Sequence, residues 1–422
     1  MDIVAFEQLL DDPIDWRYKG FPVVDPPATP RTIATKGWNI VRGDVPLPIL
    51  AIREDAVAAN IATMKAWCAT HDVSLAPHGK TTMSPELFRR QLDAGAWAIT
   101  VAHAAQGRVC AAFGIPRVLI ANEVVEAAAV RWIGDAQRAG TEVWLLVDSV
   151  AGVERLAAAR GADDPPIRVL IELGMDQGRA GARTQEVAEA VAVAAVAADG
   201  LILSGVAGWE GHIGGPDLAA VEQQVDAYLM RMRELVETLA AAGQFADCDE
   251  VVVTAGGSAW FDRVSALLRP EIDRPIRLVV RSGCTVSHDD GLYRRLSPFE
   301  RGAITGEGRL TAALEAWGVV LSVPEPELAI VGFGKRDVPF DIELPIVRWH
   351  AREGVVREST GCEITALNDQ HAFVRGSGIA DLAVGDLIGC GISHPCTAFD
   401  KWRLLPLIDA DRTITGAVHT YF

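Results

Sequence analysis

The middle of this chain alternates short β-branched runs with longer stretches rich in Ala, Glu and Arg. The runs 74–76, 98–102, 118–121, 143–147, 169–173, 202–206, 251–254 and 278–280 have the length and residue types of strands. Between them, 85–94, 150–160, 185–198 and 218–242 have helical character. Eight strand candidates alternating with helices predict a (β/α)8 barrel rather than an open doubly wound sheet. The stretch 54–293 is also close to the ~250 residues such barrels occupy.

From about Arg309 the pattern changes. Runs such as 317–323, 328–333 and 372–375 sit between turn residues with no long helical pattern, which predicts a β-rich domain. The apolar run 48–53 precedes the barrel count and is expected to join that second domain. The expected division is an N-terminal segment 1–53, a barrel 54–300 and a β-rich domain 301–422.

Composition narrows the partners. Half of the 422 residues are hydrophobic and 23% are charged, an ordinary globular balance. The net charge of −17 argues against an extended surface for nucleic acid or anionic membrane. It leaves room for a local anion site, where backbone amides and a few arginines hold one phosphate. The start, MDIVAFEQLLDDPIDW, lacks the basic region and apolar core of a signal peptide. Alanine-rich 186–199 is interrupted by charge and reads as a buried helix. Seven scattered cysteines, an odd number, read as reduced thiols of a cytoplasmic protein.

The first candidate for chemistry is Lys80, in Leu75-Ala76-Pro77-His78-Gly79-Lys80-Thr81 at the end of the first strand. Barrel active sites lie at the C-terminal ends of strands, and a lysine aimed into the mouth can form an imine. A solvated turn lysine is the plainer alternative. A second signal comes from Thr254-Ala255-Gly256-Gly257-Ser258 after the seventh strand and Arg281-Ser282-Gly283-Cys284 after the eighth. Barrels often hold a phosphate between these two loops, on glycine amides and a serine hydroxyl. Each turn alone is an ordinary turn dipeptide. Third, Arg179 lies in Gly178-Arg179-Ala180-Gly181 beyond the fifth strand, which would put it at the same mouth.

A fourth signal is His394-Pro395-Cys396. Ligands at i and i+2 point the same way in an extended segment, and imidazole plus thiolate suits Zn²⁺ better than Mg²⁺ or Ca²⁺. His78, His212 and His371 are further candidates, each matched by the alternative of a hydrogen-bonded structural histidine. The tryptophans at 67, 97, 132 and 144 read as core.

Taken together, the PHGKT run, the arginine turn, TAGGS and SHPCTAFDKW resemble the D-serine dehydratase and D-threonine aldolase family, from about Pro48 to Trp402. That resemblance implies a pyridoxal-5′-phosphate (PLP) barrel of the alanine-racemase type, a C-terminal β domain and a homodimer. It implies Lys80 as the Schiff-base lysine, with Arg179 facing the pyridine nitrogen. Gly256, Gly257, Ser258, Gly283 and Cys284 would surround the phosphate, and His394 and Cys396 would hold Zn²⁺ in a metal-binding β domain. Trp209 departs from the tyrosine often found at that position in related aldolases.

The expected reaction is β-elimination from a D-β-hydroxy amino acid, D-serine first, to a 2-keto acid and ammonia. A metal-dependent D-threonine aldolase and a D-threo-3-hydroxyaspartate dehydratase are the alternatives. The thiolate at Cys396 tilts the choice toward the dehydratases, because related aldolases tend to carry a carboxylate there. A non-catalytic PLP carrier of the same fold is disfavoured by the long tail after Arg309.

Overall fold

The computed structural model describes all 422 residues. A single strand, β1 (Ile49–Arg53), comes first. The barrel strands follow: β2 (Ser74–Leu75), β3 (Ile99–Val101), β4 (Arg117–Glu123), β5 (Glu142–Val147), β6 (Ile167–Leu173), β7 (Leu201–Gly208), β8 (Val251–Ala255) and β9 (Ile276–Val280). They are the eight runs expected from the pattern, in the same order, with ends shifted by a residue or two. All are parallel, in the order β2-β9-β8-β7-β6-β5-β4-β3. A parallel bridge between His78 and Thr100 joins the two ends, so the sheet closes on itself.

The period of two along each strand sorts side chains into an inside and an outside. Leu119, Leu170, Val252 and Val279 fall in one small cluster with Ala76, Ala98, Trp144, Leu146 and Ala207. Those nine come from every strand or its edge, and they fill the barrel. Their neighbours Val118, Ile120, Val169, Ile171, Val251, Val253, Leu278 and Val280 face outward into a cluster of 57 buried residues shared with the helices. A Cβ at Gly205 would lie 1.8 Å from the carbonyl oxygen of Val252, so only glycine lets β7 and β8 approach there.

Helices begin where side chains take the first free amides. Ser149, Thr184 and Asp217 each accept from an amide in the first turn of the helices Val150–Ala159, Gln185–Ala197 and Leu218–Ala241. No helix is long and apolar enough to cross a membrane.

The remaining strands are β10 (Leu314–Glu325), β11 (Leu328–Val331), β12 (Ile346–Arg352), β13 (Val355–Glu358), β14 (Glu363–Leu367), β15 (Ala372–Arg375), β16 (Leu387–Gly391), β17 (Leu404–Ile408) and β18 (Ile414–His419). They form one sheet in the order β13-β12-β16-β10-β1-β17-β18, with β11, β15 and β14 branching from β10. Strand β1 sits in the middle, antiparallel to β10 and parallel to β17. The seam with the barrel is tied by Asn60, fully buried, whose amide donates to Val286 O at 3.2 Å and Thr311 O at 2.8 Å while its oxygen accepts from Thr311 N at 2.7 Å.

Candidate active site

After β2 the chain passes through His78 into a single 3-10 turn, Gly79–Thr81. A Cβ at Gly79 would stand 2.8 Å from the Phe88 ring and 2.9 Å from Ile99, so glycine alone lets the turn lie against the wall. His78 N donates to Arg281 O at 3.2 Å, joining the first barrel loop to the last. The end of the chain clamps the other side. Tyr421 N donates to Met83 O at 2.9 Å, and His419 N to Glu86 Oε1 at 3.0 Å.

Lys80 lines a cavity of about 220 Å3 with His78, Ala102, Ala121, Asn122, Leu146, Glu172, Arg179, Ala180, Trp209, Gly256 and Arg281. These come from the C-terminal ends of most barrel strands, where this architecture gathers its chemistry. A larger, more apolar cavity of about 290 Å3 lies elsewhere, between the helices Glu54–Thr70 and Pro85–Asp93, and contains none of these charged groups. At the site cavity, the Arg179 guanidinium lies 3.9 Å from the Trp209 ring centroid. An indole is the strongest partner for such a cation, which gives Trp209 a role that a tyrosine would fill less well. Tyr228 ties the adjoining loops together, donating to Leu173 O at 2.5 Å and accepting from Trp209 N at 3.0 Å.

Three groups govern the charge here. Arg281 is buried and donates to Thr254 Oγ1 at 2.9 Å and Gly208 O at 2.6 Å. Burial, and then the nearby Lys80, Arg281 and Arg179, hold His78 well below the usual imidazole range, so its ring is neutral. Beside the lining carboxylate Glu172, burial and the neighbouring carboxyl push Glu123 up to about 9.

The two glycine loops meet as the pattern suggested, with one correction. The amides of Gly256 and Gly257 donate to the buried Glu210 carboxylate at 3.1 and 2.5 Å, so they are already engaged by a side chain. The donors left over are the amides of Ser258 and Gly283, which bond to no group of the chain. Ser258 Oγ accepts from Cys284 N at 3.1 Å, and its hydroxyl proton remains available. A Cβ at Gly283 would come within 2.5 Å of His78 O, so this loop packs directly on the lysine turn. An amine, two unengaged amides with a hydroxyl, and an aromatic wall suit a carbonyl cofactor carrying a phosphate.

Cys284 offers the glycine loops its amide, which donates to Ser258 Oγ. Its sulfur turns the other way, 3.4 Å from Cys396 Sγ. Cys396 lies in the 3-10 turn Pro395–Thr397 and is also 3.4 Å from Thr81 Oγ1. The pair His394 and Cys396 therefore sits against the residue that follows Lys80. Cys284 and His394 hold the Cys396 thiol well below its usual range by hydrogen bonding, outweighing burial. Asp341 Oδ2 lies 2.7 Å from His394 Nδ1, and its other oxygen accepts from Thr397 at 2.7 Å. That contact fixes the ring through Nδ1. No set of three or more His, Cys, Asp or Glu side chains is arranged to hold a metal ion.

His212 lies at the rim, its ring 5.4 Å from that of Trp209 and neither nitrogen partnered. His371 is not brought to the cavity. It is exposed, just before β15 in the outer branch of the β domain, and is not among the residues lining the cavity. Sequence reasoning missed Arg281, Glu172 and Asn122 as lining residues, and Asp341 as the partner of His394. Arg281 stood within an identified motif. Asp341 had no local signal, because 53 residues separate it from His394.

A closed parallel barrel with a lysine at the mouth of its first strand defines an alanine-racemase-type barrel enzyme. The chain belongs to the family of the alanine racemase N-terminal domain, whose profile matches residues 52–270, and a putative serine dehydratase domain matches residues 313–408. It is 26% identical over 352 residues to a D-threonine aldolase of Arthrobacter sp., covering 83% of each chain. The fold is similar to D-threonine aldolase from Filomicrobium marinum, with a TM-score of 0.74 at 22% identity over 89% of this chain and 95% of that one. It is also similar to D-threo-3-hydroxyaspartate dehydratase from Delftia sp. HT23, with a TM-score of 0.72 at 21% identity over 91% and 99%. The protein is thus a PLP-dependent enzyme of the lyase class within this family.

Proposed function

We propose that the protein removes water from a D-β-hydroxy amino acid, D-serine first, and releases a 2-keto acid and ammonia with PLP and zinc as cofactors. The carrying observation is the 3.4 Å contact between Thr81 and Cys396, which sets a soft donor pair beside the lysine turn. Lys80 is the residue to hold PLP covalently, and Ser258 and Gly283 are the donors for its phosphate. PLP, when bound, supplies an electron sink for the charge left at the substrate Cα. His394 and Cys396 are the residues to hold zinc, which supplies a Lewis acid for the β-oxygen.

The chain's own groups do the rest. Once the substrate amine takes its place, Lys80 Nζ is free to take the proton from Cα. Arg179, stacked on Trp209, stands at the cavity mouth as the residue to face the pyridine nitrogen. Neutral His78 adds no further positive charge beside Lys80.

The second reading is a retro-aldol reaction, favoured by the likeness to a D-threonine aldolase. A 3-hydroxyaspartate substrate would need a cation for its extra carboxylate. Of the cations lining the cavity, Arg281 is committed to Thr254 and Gly208 and Arg179 to Trp209. For assembly we carry a homodimer: Phe340 and Ile342, each 44% exposed, flank Asp341 and offer apolar surface next to the donor pair.

The test is a panel of D- and L-serine, D-threonine and D-threo-3-hydroxyaspartate, assayed for keto acid and aldehyde. Pyruvate from D-serine is expected. Aldehyde and glycine from D-threonine, with no keto acid from any substrate, would replace the dehydratase reading by the aldolase one.

A further inference from the structure

Of the seven cysteines, all free, Cys284 and Cys396 form the one sulfur–sulfur contact within hydrogen-bonding reach. One stands on the barrel loop after β9 and the other on the turn after β16, 112 residues along the chain. At 3.4 Å the sulfurs need to close by about 1.4 Å to reach the length of a disulfide. Cys396 is the less buried residue of the two, Cys284 being 4% exposed, so a small oxidant such as peroxide reaches Cys396 first and finds a resolving thiol 3.4 Å from its sulfur.

We infer that Cys284 and Cys396 are a peroxide-oxidisable dithiol that links the barrel to the β domain. Cys396 sulfur attacks one oxygen of hydrogen peroxide, the O–O bond breaks, and a sulfenic acid and one water result. Cys284 sulfur then attacks that sulfur, displacing its hydroxyl, which leaves as a second water with the thiol proton. Two thiols and one peroxide become one disulfide and two waters. The disulfide consumes the thiolate that the proposed function gives to zinc, so the oxidised protein loses the metal and the reduced protein recovers it. This last consequence rests on that function; the dithiol itself rests on geometry alone.

The experiment treats the PLP-loaded full chain with hydrogen peroxide, after chelation by EDTA or with zinc in excess. Free thiols are counted and non-reduced peptides mapped by mass spectrometry. In the chelated protein two thiols should vanish, a Cys284–Cys396 linked peptide should appear, and dithiothreitol should restore both thiols. Cys284→Ser should abolish the link and leave Cys396 to over-oxidise. Sulfinic or sulfonic acid on Cys396 of the wild type with no link, or a link to another cysteine, would overturn the inference. Zinc should slow formation of the link at least tenfold. Equal rates with and without zinc would leave the dithiol standing and remove Cys396 from the proposed metal pair.

Discussion

The barrel and the β domain reach the lysine turn by opposite means. Each βα unit of the barrel delivers its contribution at the end of its own strand, so Lys80, Glu172, Trp209, Gly256 and Arg281 arrive one per loop. The β domain delivers through one short segment, 393–397, held in place by residues far from it in sequence. Ser393 Oγ donates to Glu343 O at 2.6 Å, and Asp341 holds both His394 and Thr397. A modular half and a cross-braced half fail differently. In the barrel, losing one loop's residue should remove one function. In the β domain, losing a brace should loosen the donor pair without touching it.

The largest expected effect lies in the barrel. Lys80→Ala should lower the reaction rate by roughly 100- to 10,000-fold and abolish the borohydride-fixed adduct, read by absorbance and peptide mapping. An adduct that persists on another lysine would show that the cavity's amine is not Lys80. Next comes the donor pair. Cys396→Ala, or zinc removal from the wild type, should cost more than about 100-fold in elimination while the visible PLP absorbance stays. If both fall together, the two halves are not separable in the way proposed.

A brace should cost less than a ligand. Asp341→Asn keeps the shape but weakens the hold on His394 Nδ1, and zinc affinity should fall roughly 10- to 100-fold in a chelator competition. Unchanged affinity would make Asp341 a surface residue of no consequence to the metal.

The smallest effect tests the barrel's own electrostatics. Glu123 is raised to about 9 in the fold, chiefly by burial, so the native state keeps its proton at pH values where the unfolded chain releases it. Stability from this group is therefore fully present below the unfolded carboxyl range and lost as pH rises toward 9. Glu123→Gln should flatten that decline in a series of melting curves between pH 5 and 9. A wild type equally stable across the window would mean that Glu123 is not held protonated by the fold.

Legibility in the sequence followed the same divide. All eight barrel strands were readable because each must present buried, β-branched residues on both faces, which leaves a continuous apolar run. The lysine turn and glycine loops could be seen because their residues are adjacent in the chain. The capture of the Gly256 and Gly257 amides by Glu210 was not readable: that carboxylate sits 46 and 47 positions away. Nor could a motif reveal that Cys284 points away from its own loop, since backbone direction decides where its sulfur goes. The position of His371 was hidden for a related reason. A histidine beside a strand looks the same in sequence whether the strand faces the barrel or the outer branch.

Strand β1 carries a consequence for how the molecule is made. It leaves the ribosome before the barrel, yet its partners are Leu314–Trp317 on one side and Leu407–Ile408 on the other. At roughly 5–20 residues per second of synthesis, an apolar ribbon waits for tens of seconds with both edges open. Meanwhile the barrel has everything it needs between residues 74 and 280 to begin closing. The nascent chain is thus a growing barrel with a sticky leader, and shielding of that leader falls to a chaperone or to the barrel itself. A β domain expressed without residues 49–53 would carry a missing slat between β10 and β17, and two such copies would each offer the other a gap to fill.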